Sequence, residues 1–274
     1  DWHLFLWDRY SGMHDLGPVA SEPVAINQHG QIVATAPDPN GHARAFLWDP
    51  NTGRTVLPTL GGDSVQARAM NNLGQVVGVA KTASGVDHAF IWDAIHGIHD
   101  LTPSDSGSTS TWSLNDVGQV VVSTGRGSFL LHTKGGQVVT SEPLPLRQLT
   151  HINNAGHIVG LSRTEEGAND VVIWRSDSDV ETVGRLRGGD PGVPRINDVG
   201  QVHFWQERRP ALTLPKLRHF SVHTENYLWD PRRGRIPLDI CVSLDAGDYL
   251  TFSDLNDHGA LVGVVHRRSG RSEG

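Results

Sequence analysis

Three residues of complementary chemistry occupy one and the same repeat position in consecutive copies of a sequence repeat. They are His151, Arg195 and Asp254, each two places before an asparagine. A base, a cation and an acid brought together suit acid/base chemistry on an anionic substrate. The histidine shuttles a proton, the aspartate orients or deprotonates it, and the arginine clamps an anionic group. The three earlier copies carry Ala25, Ala69 and Ser113 there, small side chains that a crowded axis would demand. The same polar residues read equally well as the lining of a wet channel, satisfied by water and by their own ion pairs.

Two neighbouring positions also vary between copies. Three before the asparagine stand Val24, Arg68, Trp112, Thr150, Pro194 and Ser253; five before stand Glu22, Gln66, Ser110, Gln148, Gly192 and Thr251. Of these, Arg68, Trp112, Gln66, Gln148 and Glu22 are candidates to line a binding mouth. Trp112 would offer a stacking surface to a sugar or aromatic ring, or would simply pack between sheets.

The element that positions these residues is an apolar strand running into Asn-x-x-Gly and a second apolar strand. It occurs six times, at Asn27–Gly30, Asn71–Gly74, Asn115–Gly118, Asn153–Gly156, Asn197–Gly200 and Asn256–Gly259, with spacings of 44, 44, 38, 44 and 59 residues. The asparagine side chain bonds to nearby amides and the glycine supplies the positive φ of a tight hairpin, so both are read as turn residues. Between these turns recurs a third strand, as in Ala43–Asp49, His88–Asp93 and Asn226–Asp230, usually followed by a glycine turn and a short fourth strand. The Trp-Asp pair of that third strand reads as architecture, tryptophan filling the space between sheets and aspartate opening the next turn. Labelled A to D, the four strands of the second copy fall at about 66–71, 75–80, 88–93 and 98–102.

Four-stranded repeats of this length are the mark of a β-propeller. The sequence starts with strands C and D (2–8 and 13–17) and finishes with A and B (250–256 and 260–265), so the expected fold is an all-β, six-bladed propeller, one domain over 1–265, its last blade closed by both termini. The 59-residue spacing reflects an insertion at about 206–224 between strands B and C. It is basic and carries His219 and His223 as further candidate ligand contacts, since long loops of this kind often act as lids or binding loops, and otherwise as surface excursions or dimer contacts. Residues 266–274 read as a flexible basic tail.

These residues resemble a known family. His88-Ala-Phe-Ile-Trp-Asp93, taken with Gln75-Val-Val-Gly78 after its Asn-x-x-Gly turn, is similar to the signature of the HAF repeat, also called the extracellular repeat, and the likeness runs from about residue 3 to 265. The resemblance implies a propeller-like, often secreted protein and brings no catalytic residues with it. The fourth and fifth copies depart from it, with Leu131-His132 and Trp174-Arg175 where Trp-Asp is expected.

Composition narrows the function classes. The net charge of −7 argues against broad binding to nucleic acid or an anionic membrane. The one cysteine, Cys241, sits among apolar neighbours and reads as a buried structural thiol. No apolar run is long enough to span a bilayer. No secretory leader is read, though the chain opens inside a strand-like segment, so compartment stays open between extracellular and cytoplasmic. Fifteen histidines invite a metal reading, but no ligand spacing of a known metal site occurs, so no metal and no cofactor is assigned. Two function classes follow. The first is a binding propeller, monomer or homodimer, for a small molecule, glycan or peptide at the channel mouth. The second is a cofactor-independent hydrolase, lyase or cyclase with His151 as acid/base, Asp254 as its partner and Arg195 as anion clamp.

Overall fold

The computed structural model describes residues 2–8, 12–19, 23–102, 107–145, 148–164, 167–186, 193–208, 223–238, 249–255, 261–266 and 272–273. Glu22, Cys241, His219 and the sixth Asn-x-x-Gly turn lie outside these residues, and of Gln148, His223 and Asp254 only the backbone is described. The described residues are all-β, without helix, and divide into two compact units, Asp1–Leu144 and Pro145–Gly274.

In the first unit β1 (Trp2–Asp8) and β2 (Gly12–Val19) pair as a two-stranded sheet. Three four-stranded antiparallel meanders follow. They are β3 (Pro23–Ile26) to β6 (Gly53–Val56) by way of β4 (Ile32–Pro37) and β5 (Ala43–Asp49); β7 (Gly61–Met70), β8 (Val76–Thr82), β9 (Asp87–Asp93) and β10 (Gly97–Asp100); and β11 (Thr109–Leu114), β12 (Gln119–Thr124), β13 (Gly127–Lys134) and β14 (Gln137–Leu144). The second unit has two more, β15 (Gln148–Ile152), β16 (Ile158–Arg163), β17 (Asn169–Ser176) and β18 (Asp179–Leu186), then β19 (Arg195–Ile196), β20 (Val202–Arg208), β21 (His223–Asp230) and β22 (Gly234–Pro237). A three-stranded sheet of β23 (Tyr249–Leu255), β24 (Leu261–His266) and β25 (Ser272–Glu273) completes it. Four strands are therefore present in each of five repeats, from β3 to β22. The A strand of the second copy is longer than expected, since β7 begins at Gly61 rather than near residue 66. The β20–β21 ladder runs on to Arg208 opposite His223, so both ends of the insertion are strand.

The turn asparagines do more than shape a hairpin. Asn71 Oδ1 accepts the N–H of Leu73 (3.1 Å) and of Gln75 (2.9 Å), and its Nδ2 donates to Gln75 Oε1 (2.8 Å) and to the carbonyl of Asn115 in the next sheet (3.0 Å). Asn27 reaches the Asn71 carbonyl in the same way (3.4 Å), and in the second unit Asn153 reaches that of Asn197 (3.0 Å). The residue after the asparagine repeats the link, Asn72 pairing with the Asp116 carboxylate and Asn154 with that of Asp198. Gly74 sits at φ 74°, a conformation open to glycine at little steric cost.

Apolar seams join successive sheets within each unit. Val33, Ala45 and Leu47 meet Val65, Ala67, Val76, Phe90 and Trp92; on the far side of that second sheet Val77, Ala89 and Ile91 meet Leu114, Val120, Val122 and Leu131. In the second unit Val159, Leu161, Val171 and Ile173 meet Ile196, Val202, Phe204 and Trp229. Strands whose alternate residues pack on both neighbours read as apolar runs, and burying each Val, Leu or Ile side chain contributes roughly 1.5–3 kcal/mol. Of the Trp-Asp tryptophans, Trp92 and Trp229 are buried, as the architectural reading expects, and Trp48 is partly buried; Trp174, before Arg175, is buried as well.

One device recurs at the site-bearing strands. The ladders of β3, β7, β11, β15 and β23 each skip the residue three before the asparagine, a bulge at Val24, Arg68, Trp112, Thr150 and Ser253. A bulge frees a residue from the ladder and re-aims its side chain, which is how one repeat position carries an arginine, a tryptophan or a threonine without disturbing the sheet.

Candidate functional site

In the first unit a groove of about 560 Å³ opens between the sheets β7–β10 and β11–β14. Alternate residues of β7 stand on one wall, Ser64 and Gln66, with Arg68 turned out by its bulge. Val79 and Lys81 of β8 and Asp87 extend that wall; Ser108, Thr109, Ser110, Ser123 and Thr124 form the other. Two of the sequence candidates, Gln66 and Arg68, thus line one cavity. Trp112 reaches it only through Arg68, whose guanidinium lies over the indole 5.0 Å from the ring centroid, and Gln66 Oε1 accepts from Arg68 Nη2 at 3.4 Å. Part of the stacking surface expected of Trp112 is therefore taken by Arg68.

Two threonine hydroxyls of the far wall are held in place. Thr109 Oγ1 accepts the Ala89 N–H at 2.8 Å and pairs with Thr102, and Thr124 Oγ1 donates to the Gly127 carbonyl at 3.1 Å. These two offer directional polar contacts with little side-chain freedom left to lose. Lys81 and the serines and threonines escaped the sequence reading. Position by position, Lys81 stands where other copies have Pro37, Gly125, Arg163, Glu207 and His266, so the copy comparison held a signal for it. The hydroxyls carried none, because serine and threonine are ordinary strand and turn residues.

The second unit holds His151, Arg195 and Asp254. They fall on β15, β19 and β23, the first strands of three successive sheets, where His151 pairs with Val159, Arg195 with His203 and Asp254 with Val262. The backbone thus gives all three the same register. The ladder adds a residue that sequence reasoning missed. His203 is buried (1% exposed) directly across from Arg195, at a position filled by Val33, Val77, Val121, Val159 and Val262 in the other copies. On the same face of that sheet the buried Asn226 takes the place of Ala45, Ala89, Ser128 and Val171. The anomaly of one histidine among five valines was the available signal. Among the described residues no group of three or more His, Cys, Asp and Glu side chains gathers as a metal site.

A further departure lies beside the turns. In two sheets the glutamine after the turn glycine locks the Trp-Asp aspartate, Gln31 Nε2 to Asp49 Oδ2 (2.7 Å) and Gln201 Nε2 to Asp230 Oδ2 (2.8 Å). That hydrogen bond first, then turn N–H groups of residues 51–52 and 232–233, holds these carboxyls below the ordinary aspartate range. In the fourth sheet the pair is replaced by His157 and Arg175, the arginine instead bonding Glu181 (2.8 Å) and Asp179 (3.2 Å). Burial, then the Arg175 charge, pushes the His157 pKa down against the opposing pull of Asp179. The unfolded chain therefore binds the proton more readily, so stability falls as pH drops below about 6.5, the ordinary histidine value. Replacing His157 with the glutamine of the other copies is expected to flatten urea-melt stability between pH 7 and 5 relative to the parent; an unchanged slope would show that His157 is not its source.

No described protein family matches the chain, and no curated protein matches it. Solved structures do. The β-propeller domain of the Trilobed protease from Pyrococcus furiosus, reported with an open velcro topology, aligns at a TM-score of 0.65 with 11% identity over 99% of this chain and 85% of that one. TolB from Acinetobacter baumannii aligns at 0.54 with 13% identity over 86% and 59%, and the Dos1 propeller at 0.50 with 12% identity over 96% and 69%. The chain has a propeller-like fold. At these identities the likeness speaks for fold alone, since one fold hosts many functions.

Proposed function

We propose that this protein is a six-bladed propeller of the HAF-repeat type that binds a polyhydroxylated ligand, a glycan, in the groove between its β7–β10 and β11–β14 sheets. The observation that carries the reading is the groove itself, a cavity of about 560 Å³ whose lining includes Ser64, Ser108, Thr109, Ser110, Ser123 and Thr124 together with Gln66 and Arg68. Hydroxyls and the Gln66 amide match the donors and acceptors of a sugar, and a concave site of this size suits a mono- to trisaccharide. The test is a glycan array with the protein and with Ser108→Trp, an exposed position where an indole would fill the groove. Glycan binding by the protein that is lost in the variant is expected; an array without signal, or signal indifferent to the variant, overturns the reading.

The sixth blade would combine β1–β2 with β23–β24. In the described residues β24 has β25 along its free edge, so closure requires that edge to pass to β1. Amide exchange distinguishes the arrangements. Slow exchange at the β1 amides that face away from β2 is expected of a closed ring, and fast exchange would place this chain with the open velcro topology named for the Pyrococcus furiosus domain.

A second reading, cofactor-independent catalysis, is favoured by the common register of His151, Arg195 and Asp254 and by the buried His203 across from Arg195. It expects turnover of an ester, lactone or glycoside that His151→Ala abolishes.

A further inference from the structure

The groove's charges point to a narrower ligand class, an inference that rests on the glycan reading. Arg68 differs from the ion-paired arginines and, like Arg54 on Phe46 and Arg235 on Tyr227, sits on an aromatic ring, but it alone of these three lines the groove. Arg44 bonds Asp38, Arg175 bonds Asp179 and Glu181, and Arg185 bonds Asp170. Among the described residues Arg68 meets no carboxylate, only the Gln66 amide oxygen and the Trp112 ring. A guanidinium laid on an indole keeps its charge and its N–H edge, and that planar fork matches a carboxylate in two parallel hydrogen bonds.

Lys81 adds a second cation on the same wall. It is ion-paired with Asp63 at 3.9 Å, a loose contact that Asp63 shares with His42 Nε2 at 3.6 Å. Asp87, opposite Lys81 in the ladder, is the one carboxylate among the lining residues; with Asp63 it offsets Lys81, and Arg68 is left as the cation that meets no carboxylate, in a chain whose net charge is −7. One such cation matches a monoanion; a dianionic phosphate would meet the nearby Asp87 charge with less to balance it.

The arrangement is also particular to this pair of sheets. Arg68 and Trp112 occupy the same bulge position in successive copies, where the others have Val24, Thr150, Pro194 and Ser253, and the stacked pair forms only because the two copies are neighbours. We propose that the groove selects acidic sugars, its Arg68 and Lys81 binding the carboxylate of a uronic acid residue while the Ser and Thr hydroxyls bind the sugar's own hydroxyls.

Calorimetric titration tests this with hexuronate oligosaccharides, the matching neutral hexose oligosaccharides and a sulfated set, against the protein, Arg68→Gln and Lys81→Met. Uronate is expected to bind at least tenfold tighter than the neutral sugar, Arg68→Gln to weaken uronate binding by a larger factor than neutral binding and so erase that preference, and Lys81→Met to reduce it by a smaller factor. A melting temperature in each variant within a few degrees of the parent excludes misfolding as the cause. Equal affinity for neutral and acidic sugars, or a preference for sulfated ones, overturns the carboxylate assignment and leaves the glycan reading standing. No binding of any sugar overturns both.

Discussion

Asn71→Ala is expected to melt roughly 10 °C below the parent protein. The side chain is buried, and its two polar atoms serve four hydrogen bonds: two N–H groups of its own turn, the Gln75 side chain and the Asn115 carbonyl of the next sheet. Removing it strands several buried groups, at about 1–3 kcal/mol for each left unsatisfied. A total near 3–5 kcal/mol corresponds to that melting shift in a chain of this length, at about 2–4 °C per kcal/mol. Asn71→Asp separates the two duties of the residue. The carboxylate still accepts from Leu73 and Gln75, but turns an acceptor toward Gln75 Oε1 and the Asn115 carbonyl, so a loss close to that of alanine is expected. Asn27→Ala is the internal comparison, since its link to the next sheet is longer at 3.4 Å. A melting temperature for Asn71→Asp close to the parent would mean that the turn matters and the link between sheets does not.

Those asparagines also mark what a sequence can and cannot tell. Asn-x-x-Gly was legible as a turn because its chemistry is local, acting within five residues of chain. The link from Asn71 to Asn115 spans 44 residues, one repeat period, and the period alone does not say which atoms meet across it. Propeller architecture was legible for the same reason as the turn: each sheet is a meander of neighbouring strands, and strand and turn signals are short-range. The groove was legible only in part. Arg68 and Gln66 broke the pattern of their repeat positions, whereas the hydroxyls opposite them broke none, and the capture of Trp112 by Arg68 depends on a bulge that no residue type announces. His203 teaches the converse, because a buried histidine among valines was visible in the copies but became a neighbour of Arg195 only through the strand register.

Strand register also sets the second large effect. Gly78→Ala is expected to destabilise the protein by about 3–5 kcal/mol or to prevent folding. The position has no special φ, so the reason is space. A Cβ there would run into the Gln66 carbonyl oxygen of β7, with the carbonyl carbon and the Phe90 ring edge each 2.9 Å away. A backbone carbonyl in a ladder cannot step aside as a flexible side chain can, which places this change at the severe end of overpacking. Three of the other copies show that the strand itself does not demand glycine, since Ala34, Val122 and Phe204 occupy the place that Gly160 and Gly263 fill in the remaining two. Space at this position is exchanged between neighbours: Phe204 fills it in the fifth sheet, and there it is Gly184 of the preceding sheet that yields, a Cβ at 184 falling 2.5 Å from the Phe204 ring. Two controls isolate the cause. Gly125→Ala, with nothing within 4 Å and no positive φ, is expected to be neutral within about 0.5 kcal/mol. Gly85→Ala, equally open but at φ 81°, is expected to cost about 1 kcal/mol through backbone strain alone. Chemical denaturation of the three variants should rank Gly78 well above Gly85 and Gly85 above Gly125. Equal losses at 78 and 85 would mean that β7 can move off β8, and Gln66, which lines the groove, would then sit on a movable wall.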